Sequence, residues 1–540
     1  MNRIKEISNL FSRESLRSFF MGKIYPAVVA VIVIVGYFTG LEFYLHLINM
    51  ALACTALVVC DSLRPVMMPL CSFVFQISMK NTPANFNPEG ASNYYFEGAR
   101  LPILVVSFVA VFIALVYFFI KNRLITTKAL SSLPYLIPTG VLTLAFLLGG
   151  AFSGEWTSDE LGFVLVQLVC WFVIFYIFVL GLKNENAKEL TGYFAYITSL
   201  IAIILIAEVL EIYLTTDNMM SAEGEFIDRN LLKYGWGVCN TGAQALGVLV
   251  PVLFIGAVKN EKPTHRIYYF LIATLAFIGS IMNASRTALL TGAPIYIACI
   301  IIYVLKSKHK IRNLIEMFSV LAVVVLVLLP ISDGLDLLVD NYLTRGVNDS
   351  GRYAIWDHGI EVFKENPIFG LGTIALSKAS PYSFTYAEFI PFMMHNTPVH
   401  MLAAYGGFGF LAYLFYRVCT VIPFIKKPTF EKSMLGIALL SVIVGSLLEN
   451  FVFYILPMFY FSVCFAVAEK HIEEEKREAA GVRTAAAVTG SENPESSECA
   501  SAKETCGSPL SGPACEGENH AEKECAECII SNTENEGEST

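Results

Sequence analysis

Apolar runs of about 20 residues recur through this chain as far as residue 468, and little except a bundle of membrane-crossing helices can be built from them. Such a helix rises about 1.5 Å per residue and closes its own backbone hydrogen bonds, which lipid requires of any spanning segment. Candidate spans run roughly 25–39, 42–60, 64–80, 101–121, 132–152, 160–182, 193–215, 237–258, 267–283, 287–305, 311–331, 396–423, 433–449 and 451–468. The first three and last two are short or crowded, so 12–14 spans are expected. Charged residues make up 15% of the 540, against about 25% in soluble domains. The expectation is an all-α, polytopic transmembrane bundle.

Basic residues orient it. Arg3, Lys5, Arg13, Arg17 and Lys23 place residues 1–24 in the cytoplasm under the positive-inside rule. Lys121 with Arg123, Lys183 with Lys188, Lys259 to Arg266, Lys306 to Arg312, and Lys426-Lys427 then fall on the same side. The connections around 81–99, 153–159, 216–236 and 332–394 fall on the other. The N-terminus is polar and basic and the first apolar run has no small-residue cleavage site, so no cleavable signal peptide is expected. The membrane domain is expected over 25–470, with an acidic, disordered cytoplasmic tail over 471–540. Residues 481–540 hold 12 acidic and 3 basic side chains and account for the whole net charge of −9, so the acidity says nothing about a substrate. Five of the 13 cysteines lie in that tail and none in the 332–394 loop, which is therefore not disulfide-built.

That loop is the longest non-spanning stretch before the tail, and most of the unusual chemistry lies in and beside it. Ser350 precedes Gly351-Arg352 and is placed to cap a helix that Asn366-Pro367 ends. Trp356, Ile360 and Phe363 recur at helical spacing and mark its apolar face. A helix start beside an arginine suits phosphate oxygens; an exposed arginine on an amphipathic helix reads equally well. Arg286, between two apolar runs with almost no loop, is either a ligand-facing cation at the membrane edge or a snorkelling side chain. Arg345 is a possible third cation. His395, before Asn396-Thr397-Pro398, is either a base for a hydroxyl proton or a packing histidine at a helix start, and His400 and His358 are its local competitors. Trp236 and Asn240 suit sugar recognition or a plain interfacial belt. Glu208, Glu211 and Glu449 interrupt apolar runs, a functional signal by default.

The ordered set Ser285-Arg286-Thr287, Ser350-Gly351-Arg352, Trp356, Asn366-Pro367 with Gly370-Leu371-Gly372, His395-Asn396 and Gly406-Gly407-Phe408-Gly409 resembles the O-antigen ligase and O-antigen polymerase family of membrane glycosyltransferases, over roughly residues 190–470. The resemblance implies an undecaprenyl-diphosphate-linked glycan donor and a glycan or lipid-sugar acceptor, at the outer face of the cytoplasmic membrane. It implies His395, Arg352 and Arg286 as catalytic residues. Arg345, Ser350, Trp356, Asn396, Asn240 and Trp236 are expected to bind substrate. No metal, cofactor or nucleic-acid partner is expected. The rival reading is a secondary transporter using Glu208, Glu211 and Glu449; a tail-dependent scaffold is a third.

Overall fold

The computed structural model describes residues 12–76, 98–215, 232–234, 237–306, 309–328, 351–381, 393–426, 428–453 and 455–490. Helices and the turns and links between them make up these residues, with one two-residue antiparallel ladder pairing Lys233 with Val238 and Tyr234 with Gly237. Among them, eight helices are long and apolar enough to cross a membrane, or nine if the bent pair Arg13–Met21 and Ile24–Thr39 forms one span. The expected spans at 64–80, 311–331 and 451–468 reach outside the described residues, and other apolar runs form shorter helices. Ile24–Thr39 and Phe430–Gly445 have 16 residues each and Leu136–Leu148 has 13, about 24 and 20 Å against a hydrocarbon core of about 30 Å.

The Cys239–Lys259 helix is the axis of the bundle. Its spanning window is 83% buried, whereas that of Arg100–Lys121 is 22% buried. The second helix turns Val106, Phe112, Ile113 and Ile120 outward, as a lipid-facing helix does. Around the axis pack Ala187–Thr215, Pro263–Met282, Arg286–Lys306 and Phe430–Gly445. Gly256 permits the approach of one neighbour: a Cβ there would lie 2.4 Å from the Tyr269 ring. The run at 160–182 is a helix with one π-helical turn, Val169–Val173, between Ser158–Leu168 and Ile174–Gly181. Ser462 donates its hydroxyl to the Cys170 carbonyl there, at 2.8 Å, which helps satisfy a backbone group that the irregular turn leaves short of a partner.

The helix that follows the loop, Thr397–Ile425, is broken at Gly406, whose φ of 66° and ψ of −169° only glycine adopts without strain. A break inside a spanning helix strips backbone groups of their partners, and in lipid they must find others. The segment 367–372 supplies them. Leu371 and Gly372 donate to the carbonyls of Ala403 and Ala404, each at 2.9 Å; Gly407 and Phe408 donate to those of Pro367 and Ile368, at 2.8 and 3.2 Å. Glycine at 370 allows this contact, since a Cβ there would lie 2.3 Å from the Ala404 carbonyl carbon. The two glycine-rich motifs are thus one structural joint that lays the loop on the bundle.

The Arg352–Glu365 helix packs on Thr397–Ile425 through Gly359, where a Cβ would lie 2.7 Å from Val399. Its buried face is Ile355, Gly359 and Val362, one residue back from the expected Trp356, Ile360 and Phe363, which are half-buried. The glycine moves the contact line because it, not a large apolar side chain, lets the two helices approach. Asn366 ends the helix, as expected. Its N-cap is Gly351, with φ 76° and no side-chain cap, instead of Ser350. The final helix, Ile455–Gly490, continues past the expected boundary at residue 470. Ion pairs of Lys432 with Glu475 and of Arg477 with Glu473, each at 2.6 Å, support that extension. Residues 491–540, with the five tail cysteines, lie outside the described residues.

Candidate active site

Glu449 lies in the short link between the Phe430–Gly445 helix and the Phe451–Phe453 turn, its side chain 1% exposed. A carboxylate so far from water is tolerable only when charge and hydrogen bonds converge on it, and three donors do. Arg352 gives Nη2–H to Oε1 at 2.6 Å, Asn240 gives Nδ2–H to the same oxygen at 2.7 Å, and His395 Nδ1 meets Oε2 at 2.8 Å. Four separate chain segments therefore meet at one side chain.

Each partner is held by its own local structure. Arg352 opens its helix after the left-handed Gly351, and its Nη1 also donates to the Leu448 carbonyl at 2.7 Å and to Thr287 Oγ1 at 3.2 Å. These contacts fix the guanidinium plane and, among the described residues, leave its Nε–H and one Nη2–H without a hydrogen bond. Thr287 is the second residue of the Arg286–Lys306 helix, so Arg286 starts the helix that Arg352 leans on. Ala284, two residues before, has φ 52°. It is buried with Leu232 and Cys239, which flank the small ladder. Asn240 enters from the start of the axial helix. His395 has φ 48°, a strained conformation for a non-glycine residue. Asn396 beside it caps the next helix, its Oδ1 accepting from Val399 N–H at 3.0 Å, and Thr397 N–H donates to the Ser446 carbonyl at 2.8 Å. The histidine is thereby locked over the link that carries Glu449.

An ionised carboxylate only accepts hydrogen bonds, so beside it a neutral His395 carries its hydrogen on Nδ1 and a lone pair on Nε2. His395 is 30% exposed on its side chain, which leaves the ring partly accessible. The arrangement can take a proton at Nε2 and delocalise the resulting positive charge onto a buried carboxylate, the division of labour of a histidine–carboxylate dyad.

The structure brings His395, Arg352 and Asn240 to one point and sets Arg286 on the adjoining helix. Trp356 is apart from that contact set: it is half-buried, edge-on to Tyr353 at 5.4 Å, and packed on the core. Asn396 acts as a helix cap. Arg345, Ser350 and Trp236 lie outside the described residues. His400 is fully buried, its Nε2 3.3 Å from Thr373 Oγ1 and its ring against Phe453, which makes it a packing group. Glu449, grouped in the sequence with Glu208 and Glu211, stands apart from them: it is the common acceptor, whereas Glu211 accepts from Tyr37 at 3.1 Å on another face. The one sequence signal for Glu449 was its position between two apolar runs.

A carboxylate-held histidine and an arginine, gathered at one end of an apolar helical bundle, define an integral membrane protein with an enzyme-like polar centre. Residues 241–414 match the family described as O-antigen ligase. The matched range contains Arg286, Thr287, Arg352 and His395 and stops short of Asn240 and Glu449. No curated protein matches the chain.

Proposed function

We propose that this protein transfers or polymerises an undecaprenyl-diphosphate-linked glycan at the outer face of the cytoplasmic membrane, without a metal ion. The observation that carries the reading is the convergence of His395, Arg352 and Asn240 on Glu449. The acceptor hydroxyl gives its proton to His395 Nε2 while its oxygen attacks the anomeric carbon. The bond from that carbon to the diphosphate oxygen breaks, with inversion. Arg286 and Arg352 stabilise the charge that develops on the leaving group, the part a divalent cation plays elsewhere. Glu449 keeps the imidazole in the base tautomer and balances the imidazolium. Basic connections on the opposite side of the bundle support the outward orientation of the site.

The test is the size of the lipid-linked glycan in cells lacking the protein. Accumulated single repeats mean a polymerase. Accumulated long polymers, with none on the final surface acceptor, mean a ligase. An unchanged lipid-linked pool refutes the proposal.

A further inference from the structure

The Thr397–Ile425 helix carries a second arginine site, at Arg417, 20 residues along from its first residue. Arg417 is 8% exposed and lines a cleft of about 530 Å³, its open side included. No described carboxylate pairs with it, and its Nε and Nη2 have no hydrogen-bond partner among the described residues. Aromatic rings stand around the guanidinium instead: Tyr413 at 4.9 Å, Trp171 at 5.2 Å and Tyr416 at 5.8 Å from their centroids. Ring faces attract a cation but accept none of its N–H bonds in the geometry of an oxygen. Glu469, which follows the lining residue Ala468, is already taken by Tyr135 at 2.8 Å and Lys476 at 3.7 Å. A buried guanidinium aimed into a cleft with unspent donors and no counter-charge is costly unless an anion reaches it.

The rest of the cleft says which anion. Phe424, Leu435, Leu439, Val442, Met458 and Phe461 line it, a surface that hydrocarbon fits and that a free, hydrated ion gains nothing from. Arg417 lies eight residues before the end of its helix at Ile425, about 12 Å along the axis. It is therefore within reach of the interface at the end of the bundle away from Glu449. We propose that this cleft binds an anionic phospholipid, its phosphate on Arg417 and an acyl chain along the apolar wall. The lipid belongs to the leaflet opposite the candidate active site.

The test uses the full-length protein, purified in detergent and delipidated, and titrated with phosphatidylglycerol, phosphatidylcholine or inorganic phosphate. Native mass spectrometry reads bound lipid and a thermal melt reads stabilisation. Phosphatidylglycerol is expected to bind and raise the melting temperature, with phosphatidylcholine and inorganic phosphate doing neither. Arg417→Gln is expected to weaken phosphatidylglycerol by about tenfold or more, the loss of a charge-assisted contact. Arg417→Lys is expected to keep part of the affinity. The proposal is overturned if the two lipids stabilise the wild type equally, if inorganic phosphate gives the same shift, or if Arg417→Gln binds phosphatidylglycerol as the wild type does. Should Arg417→Gln fail to fold, the wild-type comparison of the two lipids and the Arg417→Lys titration decide alone.

Discussion

Replacing Glu449 by glutamine changes almost no volume and tests the site at its centre. Arg352 and Asn240 both donate to Oε1, so the amide oxygen of the new side chain would stay with them. Its NH2 would then face His395 Nδ1, now 2.8 Å from Oε2. Two N–H groups cannot bond each other, so the ring must turn its lone pair toward Nδ1 and carry its hydrogen on Nε2. That is the wrong tautomer for a base. It costs on the order of 10³–10⁴-fold in turnover where a buried carboxylate holds a catalytic histidine. The same change removes the counter-charge of Arg352. Losing one partner of a buried pair costs about 3–5 kcal/mol, toward the lower end here because Arg352 keeps its bonds to Thr287 and Leu448. The assay is transfer of lipid-linked glycan by purified Glu449→Gln, beside a thermal melt that verifies folding. Transfer within about tenfold of wild type, in a folded variant, when His395→Ala is inactive, would refute the tautomer argument.

Arg352→Lys keeps the charge but cannot span Thr287, Leu448 and Glu449 with a fixed planar fork, so glycan transfer is expected to fall by about tenfold or more. Asn240→Ala removes one of the two donors on Oε1, an expected loss of about 1.5–3 kcal/mol, read as a drop in transfer or in melting temperature. His400→Ala should lower stability by about 2–5 kcal/mol, as other large-to-small core changes do, and leave folded protein active; His395→Ala should do the reverse, and comparing melts with transfer rates separates them. Gly406→Ala places a Cβ 2.3 Å from the Ile368 carbonyl oxygen at a φ of 66°. It should cost at least about 1–3 kcal/mol, seen as a lower melting temperature. Burial depresses the pKa of His471, beyond the last apolar run, below the usual histidine value. The folded protein then resists its protonation: this contribution is intact above about pH 6.5 and is lost as the pH falls toward the depressed folded value. Melting temperatures of wild type should fall more than those of His471→Asn between neutral and mildly acidic pH.

Much of this architecture was legible because lipid imposes a strict rule on the backbone. Long apolar runs had to be helices, and a Pro after Asn366 had to end one. The ordered arginine and histidine motifs pointed to the end of the bundle where Arg352 and His395 meet. What could not be read was long-range. Span lengths depend on where a helix breaks, and the π-helical turn at Val169–Val173 leaves no mark in hydropathy. Gly406 and Gly370 looked like neighbours of chemistry, yet each is glycine because another backbone passes within van der Waals distance. Trp356 looked like the apolar face of its helix, but Gly359 sets the contact line. Glu449 was visible only as one more buried acid, since His395, Arg352 and Asn240 come to it from 54, 97 and 209 positions away.

That separation explains how the site is assembled. Neither Arg352 nor His395 belongs to a long spanning segment's interior; one starts a loop helix and the other ends the loop. Left to themselves, both would be mobile at the membrane edge. The kink at Gly406 anchors the loop's middle on the bundle, the Asn396 cap and the Thr397–Ser446 bond fix its exit, and the buried carboxylate then draws both side chains to one place. The charge therefore has two effects at once. It makes the burial of an arginine tolerable, and it chooses the histidine tautomer that leaves Nε2 able to take a proton. A hydrophobic replacement of the Arg352–Glu449 pair would be expected to give as stable a bundle, but one in which the imidazole has no fixed orientation and no counter-charge. In the proposed reaction the cost of burying Glu449 is the condition for a base, and the fold tolerates it because Arg352, His395 and Asn240 are each anchored independently.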